Sequence, residues 1–107
     1  MNICNEILTA AGVNNRETRF TKPQHGTYAV WNEDVDTDGP DYVNAIITND
    51  YTIELYEDVP DPDSEAAIEA QFDARGIRWR KQARYWIQSE QLYQVIYEFS
   101  QIIKKEI

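Results

Sequence analysis

Apolar and polar residues alternate along two segments of this chain, residues 51–57 (YTIELYE) and residues 91–103 (QLYQVIYEFSQII). Because successive side chains of a strand point to opposite faces of a sheet, such alternation is typical of a strand with one buried face. In the second segment, one face would carry Tyr93, Val95, Tyr97 and Phe99. Both segments are therefore predicted to be half-buried strands.

Other segments of the chain are also rich in β-branched and aromatic residues, which favour strands. The predicted strands are residues 27–31, 42–56, 79–87 and 91–103. The polar pair Asn49-Asp50 lies within the second strand, so a bulge or a break is expected there. An acidic loop is predicted between the first two strands, over residues 32–41, because Gly39-Pro40 near its end is a strong turn signal.

Two other segments have the apolar spacing of amphipathic helices. Asn2 would cap the first helix and Gly12 would end it. Its apolar side consists of Ile3, Cys4, Ile7, Leu8 and Ala11. Asp61 would cap the second helix with Pro62 in the first turn, and Gly76 would close it. Its apolar side consists of Ala67, Ile68 and Phe72.

The polar stretch over residues 14–26, which contains Pro23 and Gly26, is predicted to be a loop. The element order is then α-β-β-α-β-β. Consecutive strands joined by short loops favour an antiparallel, or mixed, sheet of about four strands, with both helices on one face. With 107 residues the chain has the size of one domain. The predicted fold is a single α+β domain over residues 1–107.

The formal net charge of −9 is unevenly distributed. Residues 28–75 carry 14 carboxylates against Arg75 alone, a net −13, whereas residues 1–27 and 76–107 carry a net +1 and +3. Such acidity repels phosphates and anionic lipid, so direct binding to nucleic acid or to a membrane is not expected. Two interpretations stay open. Oppositely charged surfaces would let copies of the chain meet, or an acidic face would only keep the protein soluble.

The predicted acidic loop contains the first half of a calcium-binding pattern. Acidic residues alternate at Asp34, Asp36 and Asp38. Gly39 follows at the sixth position, but Ala45 occupies the twelfth, where a calcium loop needs a bidentate glutamate. A different calcium loop, completed by Glu33 or Asp41, is one alternative. An exposed acidic turn is the other, and we predict no metal and no other cofactor.

Side chains suited to catalysis are scarce. His25 is the only histidine, and Cys4 is the only cysteine. No Ser-His-Asp or Cys-His arrangement can be favoured from them, and Cys4 is expected to be a small buried hydrophobe. We therefore predict that the protein is not an enzyme. No segment approaches the roughly 20 apolar residues of a membrane span, and the first residues lack the features of a signal peptide, so synthesis in the cytoplasm is expected.

A basic segment follows the second predicted helix, with cations at Arg78, Arg80, Lys81 and Arg84. In one continuous strand, alternation would place the three arginines on one face and Lys81 on the other. We expect these residues to meet an acidic surface on another copy or on a partner. The acidic half of such an interface would be formed by Glu33, Asp34, Asp36, Asp38 and Asp41. The alternative is a solvent-facing surface whose long side chains cover part of the sheet.

The sequences of the predicted strands resemble those of a known family. Their order along the chain resembles that of small phage head–tail joining proteins: residues 51–57, then the helix over residues 65–72, then residues 85–90 and 92–99 (YWIQSE and LYQVIYEF). These are also called tail-completion or tail-terminator proteins of long-tailed phages and prophages, and the versions from phages of Gram-positive hosts look most similar. The resemblance spans residues 28–105.

The resemblance implies a structural protein that assembles as a ring, commonly of six copies, at the head-proximal end of the tail tube. Its partners would be other copies of itself, the tail tube protein and the head connector. It would be found in the host cytoplasm during assembly and then in the virion tail. Charge alone supports an alternative, an acidic binding module that inhibits a basic protein or mimics nucleic acid, based on the carboxylates between Glu33 and Asp73.

Overall fold

The structure, a computed structural model, describes residues 2–22, 24–38 and 45–105, with the backbone alone at 36–38, 45–47 and 103–105. Within these residues the chain forms two helices and six strands. In chain order they are α1 (Ile3–Ala10), β1 (Asn14–Glu17), β2 (Tyr28–Asp38), β3 (Ala45–Glu57), α2 (Pro62–Ala74), β4 (Trp79–Lys81), β5 (Tyr85–Ile87) and β6 (Leu92–Lys105).

The strands form one mixed sheet in the order β1-β2-β3-β6-β4, with β5 also paired to β6. β1 runs parallel to β2, and the other pairs are antiparallel. The prediction of a small α+β domain is confirmed. The predicted count of four strands and the order α-β-β-α-β-β are wrong, because the described chain has the order α-β-β-β-α-β-β-β.

One additional strand lies in the segment predicted to be a loop. β1 is polar and largely exposed, so it lacks the apolar alternation that marks a half-buried strand. Side-chain hydrogen bonds hold it in place instead. Asn15 accepts from Asn5 at 2.9 Å and donates to the carbonyl of Val13 at 2.9 Å, and the indole of Trp31 donates to Asn15 at 3.3 Å.

The prediction of an acidic loop over residues 32–41 is wrong for residues 32–38. These residues continue β2 and pair with β3 without interruption as far as Asp38, which lies opposite Ile46. Acidic residues are disfavoured in strands by propensity, but cross-strand pairing overrides that weak preference. The bulge or break expected at Asn49-Asp50 does not occur, since both residues pair in register with β2 and β6. Residues 39–41, including Asp41, lie outside the described part of the chain.

The predicted strand over residues 79–87 is divided into β4 and β5, which pair with different parts of β6. Both predicted helix caps are confirmed. The Asn2 side chain accepts from the Cys4 N–H at 2.7 Å, and the Asp61 side chain accepts from the Ser64 N–H at 3.1 Å. Gly76, with a φ of +66°, ends α2 in the left-handed conformation that glycine adopts at little cost.

The core lies between the two helices and one face of the sheet. The sheet contributes alternate residues, Ala29, Trp31, Tyr51, Ile53, Leu55, Val95, Tyr97 and Phe99, and the helices contribute Cys4, Ile7, Leu8, Ile68 and Phe72. The Phe72 ring is central, since its centroid lies 5.2 Å from that of Phe99 and 5.6 Å from those of Trp79 and Tyr97. This layer fixes which sheet residues face the helices and which face away from them.

Candidate assembly surface

Three strands continue beyond the part of the sheet that the helices cover. Among the side chains that the structure describes, the last buried ones of β3 and β6 at this end are Tyr51 and Phe99, whose rings stack at 4.9 Å. Past them lie residues 34–38 of β2, 45–50 of β3 and 100–105 of β6, which together we call the projection. Val35 and Ile102 on it are 60% and 69% exposed. The projection thus presents apolar surface that the described chain does not bury.

The projection accounts for the elongation of the molecule. The radius of gyration is 15.5 Å and the longest dimension is 49 Å against 28 and 25 Å for the other two. A compact domain of this length has a radius of gyration of about 13 Å. A sheet that extends past its own core exposes strand edges and apolar side chains, which single domains normally keep short or protected.

The structure places the acidic residues of the predicted interface along β2. Glu33 and Asp34 are exposed, and Glu33 accepts a hydrogen bond of 2.9 Å from the Asn2 side chain. The backbones of Asp36 and Asp38 belong to β2, while their side chains and the whole of Asp41 lie outside what the structure describes. In an extended strand alternate residues are about 6.6 Å apart, so this backbone does not curl around an ion as a calcium loop does.

The structure separates the four basic residues into two pairs on opposite faces of the sheet. Lys81 and Arg84 face α2 and form ion pairs with carboxylates of the same chain. Arg78 and Arg80 lie on the other face. The chain leaves strand conformation over residues 82–84, so the alternation that would group Arg84 with Arg80 is interrupted. Only Arg78 and Arg80 are left in a position that suits the predicted contact with a second molecule.

Lys81 and Arg84 belong to a compact acid–base cluster, formed by Glu57, Glu65, Glu69, Lys81 and Arg84. Arg84 bridges two strongly buried carboxylates, with its Nε 3.2 Å from Glu57 and a terminal nitrogen 2.6 Å from Glu65. The Lys81 ammonium lies 2.8 Å from Glu65 and 2.7 Å from Glu69. The cluster therefore joins β3, α2 and the segment around β4.

The two buried carboxyls of the cluster differ in proton affinity. Burial raises the pKa of Glu57 to about 7, and the neighbouring Glu65 carboxyl adds to this rise, while Arg84 and the Asp61 N–H oppose it. Burial also acts to raise the pKa of Glu65, but its hydrogen bond with Glu57 and the cations Lys81 and Arg84 lower that pKa to about 2. The two carboxyls titrate together, with the pKa of Glu57 raised and that of Glu65 lowered.

The three carboxylates of this cluster are not among the site residues predicted from the sequence. The sequence contains a signal for Glu57, because this residue occupies the next inward position after Tyr51, Ile53 and Leu55. In the structure Glu57 is completely buried. An ionisable residue at the next position of a buried face needs a partner in the fold. For Glu65 and Glu69 no comparable signal exists, because their partners come from a different part of the chain.

Arg78 and Arg80 line a groove of about 710 Å³ on the sheet face that points away from the helices. Its other polar residues include Asp50, Glu98 and Ser100, and Ile102 of the projection lies at one end. Arg80 pairs with Glu98 in the backbone register. Within the described residues neither arginine forms an ion pair, so their charges are available to a molecule that covers this groove.

The two side chains considered for catalysis, Cys4 and His25, lie in different environments. Cys4 is completely buried, and burial raises the pKa of its thiol to about 12, which keeps it protonated. His25 is exposed in the segment before β2. No cluster of three metal-ligating side chains occurs in the described part of the chain. Across residues 2–22, 24–38 and 45–105, no helix is long and apolar enough to cross a membrane.

No protein-family model matches the chain, and no curated protein matches it. Among solved structures, the fold is similar to that of a chain in the virion of a native gene transfer agent (GTA) particle. The TM-score is 0.65 and the sequence identity is 18%, and the match covers 92% of this chain and 84% of that chain. At this identity the comparison shows a shared fold over almost the whole domain.

Proposed function

We propose that this chain is a non-enzymatic structural protein of a phage-like particle, which completes the tail and joins it to the head as a ring. The observation that carries the proposal is the fold similarity to a chain of a gene transfer agent virion, over 92% of this chain. The sequences of its strands resemble those of tail-completion proteins, and this supports the more specific assignment to the head-proximal end of the tail tube.

The surface of the molecule supports an assembly role. A projection with exposed Val35 and Ile102 and a groove with Arg78 and Arg80 lie outside the core that the helices cover. Val35 is aligned with Asn49 and Gln101 and Ile102 is aligned with Thr48, so exposed apolar side chains occur on both faces of the projection and would be covered by neighbouring molecules in an assembly. In a tail the contacts would be with neighbouring copies, the tail tube protein and the head connector.

This role implies where the protein would be found. The protein would assemble in the host cytoplasm and remain in the virion at the junction of head and tail. The acidity of residues 28–75, at a net −13, opposes direct contact with nucleic acid or with anionic lipid. Recognition would therefore be through protein surfaces.

The alternative of an acidic inhibitor has less support from the structure. Several carboxylates of the acidic segment already bind within the chain: Asp50, Glu57, Asp61, Glu65, Glu69 and Asp73. An inhibitor that works by charge needs its carboxylates exposed and free to face a basic partner. Part of the acidity thus serves contacts within the chain.

Native mass spectrometry of the purified chain, over a range of concentration and ionic strength, tests the proposal. We expect a closed complex of one copy number, six by analogy with the family, that weakens as salt rises because charged contacts are screened. A chain that stays monomeric throughout but binds a basic enzyme tightly, in a salt-sensitive way, would favour the acidic inhibitor instead.

A further inference from the structure

The projection has two strand edges that the described chain leaves without a partner. β1 pairs with β2 only over Tyr28 to Trp31, and the Thr18 N–H adds a bond to the Trp31 carbonyl. On the other side of the sheet, β4 pairs with β6 only as far as Phe99. Within the described residues, β2 is therefore open over residues 32–38 and β6 over residues 100–105.

The two open edges match in length and carry opposite charge. At about 3.3 Å per residue they extend roughly 23 and 20 Å. The β2 edge carries Glu33, Asp34, Asp36 and Asp38 and no cation. The β6 edge carries Lys104 and Lys105 and no carboxylate. Unpaired edges are normally protected from other chains, so two long complementary ones on a single projection indicate a use.

The register of the sheet brings these charges to the same height. Asp38 and Lys104 both lie opposite Ile46, one on each side of β3. β2 and β6 also run in the same direction, because each is antiparallel to β3. A neighbouring copy that is rotated about an axis along the projection, without sliding, would bring its Asp38 level with Lys104 of the first copy.

We propose that copies of this chain join edge to edge, with residues 100–105 of β6 in one copy pairing in parallel with residues 32–38 of β2 in the next. This inference rests on the proposed ring and names its seam. Main-chain hydrogen bonds would hold the two strands, and the acidic and basic edges would select the partner. A contact between two different edges repeats from copy to copy and closes into a ring when the rotation permits.

Charge also explains why the edges would not pair with themselves. Two β2 edges would bring carboxylates together, and two β6 edges would bring lysines together, which disfavours a two-fold dimer at either edge. Charges on an edge can serve merely to prevent aggregation. Protection alone would work equally well with the same sign on both edges, whereas opposite signs attract unlike edges and so select the head-to-tail contact.

Reversal of each edge tests the seam. The variant Asp34→Lys/Asp36→Lys/Asp38→Lys makes both edges basic, and Lys104→Glu/Lys105→Glu makes both edges acidic. The matched controls apply the same change of charge at exposed sites away from both edges, Asp58→Lys/Asp63→Lys/Glu90→Lys and Lys22→Glu/Arg75→Glu. Circular dichroism would show that every variant is folded, and native mass spectrometry would measure association of each full-length protein alone and of the two edge variants mixed.

We expect each edge variant alone to lose at least about tenfold in association constant, because like charges face each other at every seam. The equimolar mixture should recover complexes with equal numbers of the two variants, and the controls should behave as the unmodified protein. Edge variants that assemble as well as the controls, or a mixture that stays dissociated, would overturn the seam. The mass of each complex identifies its composition directly.

The same variants, supplied to particles that lack the gene, separate failure of the seam from failure of the proposed function. If the unmodified chain restores joined particles and each edge variant does so too, the seam is wrong and the function stands. If each edge variant fails and their co-expression restores joining, both hold. If particles form normally without the gene and the purified chain is monomeric, the function and the seam are both overturned.

Discussion

The buried carboxyl of Glu57 predicts an unusual dependence of stability on pH. Its pKa in the folded protein, about 7, lies above the ordinary value of 4.5, so the folded state binds this proton more tightly than the unfolded chain. Its contribution to the free energy of unfolding is complete below pH 4.5 and is lost as pH rises through 7. Glu65 has the opposite sign, since its lowered pKa of about 2 removes stability only as pH falls below 4.5. We therefore expect greatest stability near pH 5.

The size of the effect follows from the two pKa values. Between pH 5 and pH 8, a carboxyl that moves from about 4.5 unfolded to about 7 folded loses roughly 2–3 kcal/mol of stabilisation, at about 1.4 kcal/mol per pKa unit. Glu57 is completely buried, so solvent does not screen this term. For a domain of this size each kcal/mol corresponds to roughly 4–8 °C in melting temperature.

The substitution Glu57→Gln isolates this group. The amide has the shape of the protonated carboxyl, can still accept from the Asp61 N–H that lies 3.1 Å away, and cannot ionise. The free energy of unfolding of the variant, measured in urea from pH 5 to pH 8, should be nearly flat where the unmodified protein declines. Glu90→Gln, at an exposed turn residue, is the control and should keep the decline.

Two results would refute this reasoning. A stability that rises from pH 5 to pH 8 in the unmodified protein would mean that Glu57 is ionised in the folded state throughout. A Glu57→Gln variant that declines with pH as steeply as the unmodified protein would assign the titration to another group.

Further predictions concern single side chains. Arg84→Met should destabilise the domain by about 2 kcal/mol in urea unfolding, because Glu57 loses a buried partner, although the 35% exposure of Arg84 keeps this below the value for a fully buried pair. Asp61→Ala should cost about 1 kcal/mol, through loss of the α2 cap, whereas Asp61→Asn should keep most of it. Phe72→Ala should cost about 3–5 kcal/mol by leaving a cavity at the centre of the core. Cys4 should react with a thiol reagent at pH 8 only as fast as the protein unfolds, and rapid reaction in the native state would contradict its burial.

The parts of the fold that the sequence predicts are those with a buried face. β6 could be assigned with its correct inward residues, because Val95, Tyr97 and Phe99 alternate against polar neighbours. Both helices and their caps follow from apolar spacing and from Asn2 and Asp61. Each of these signals lies within a short stretch of sequence, and each of the segments packs against the same core.

The parts that sequence reasoning missed depend on pairing at a distance. β1 is polar, and it becomes a strand because Asn15 connects it to α1 and to Trp31. Residues 32–38 are acidic, and they become a strand because β3 supplies a complete ladder of partners. In both cases the local residue preference points to a loop, and long-range hydrogen bonding overrides it.

The same limit applies to the surface. The sequence identifies the acidic and the basic segments but cannot show that Lys81 and Arg84 bind carboxylates of their own chain while Arg78 and Arg80 face away from them. A test that reverses Arg80 and Arg84 together would therefore confuse assembly with folding. Arg78→Glu/Arg80→Glu leaves the acid–base cluster intact and probes the exposed surface alone.

Disruption of the gene in the genome that encodes it tests most directly whether this chain completes the tail of a phage-like particle. Induced particles would be imaged by negative-stain electron microscopy, with and without the gene restored from a plasmid. We expect filled heads and separate tails in the disrupted strain, and joined particles once the gene is restored. Joined particles in normal numbers without the gene would contradict it.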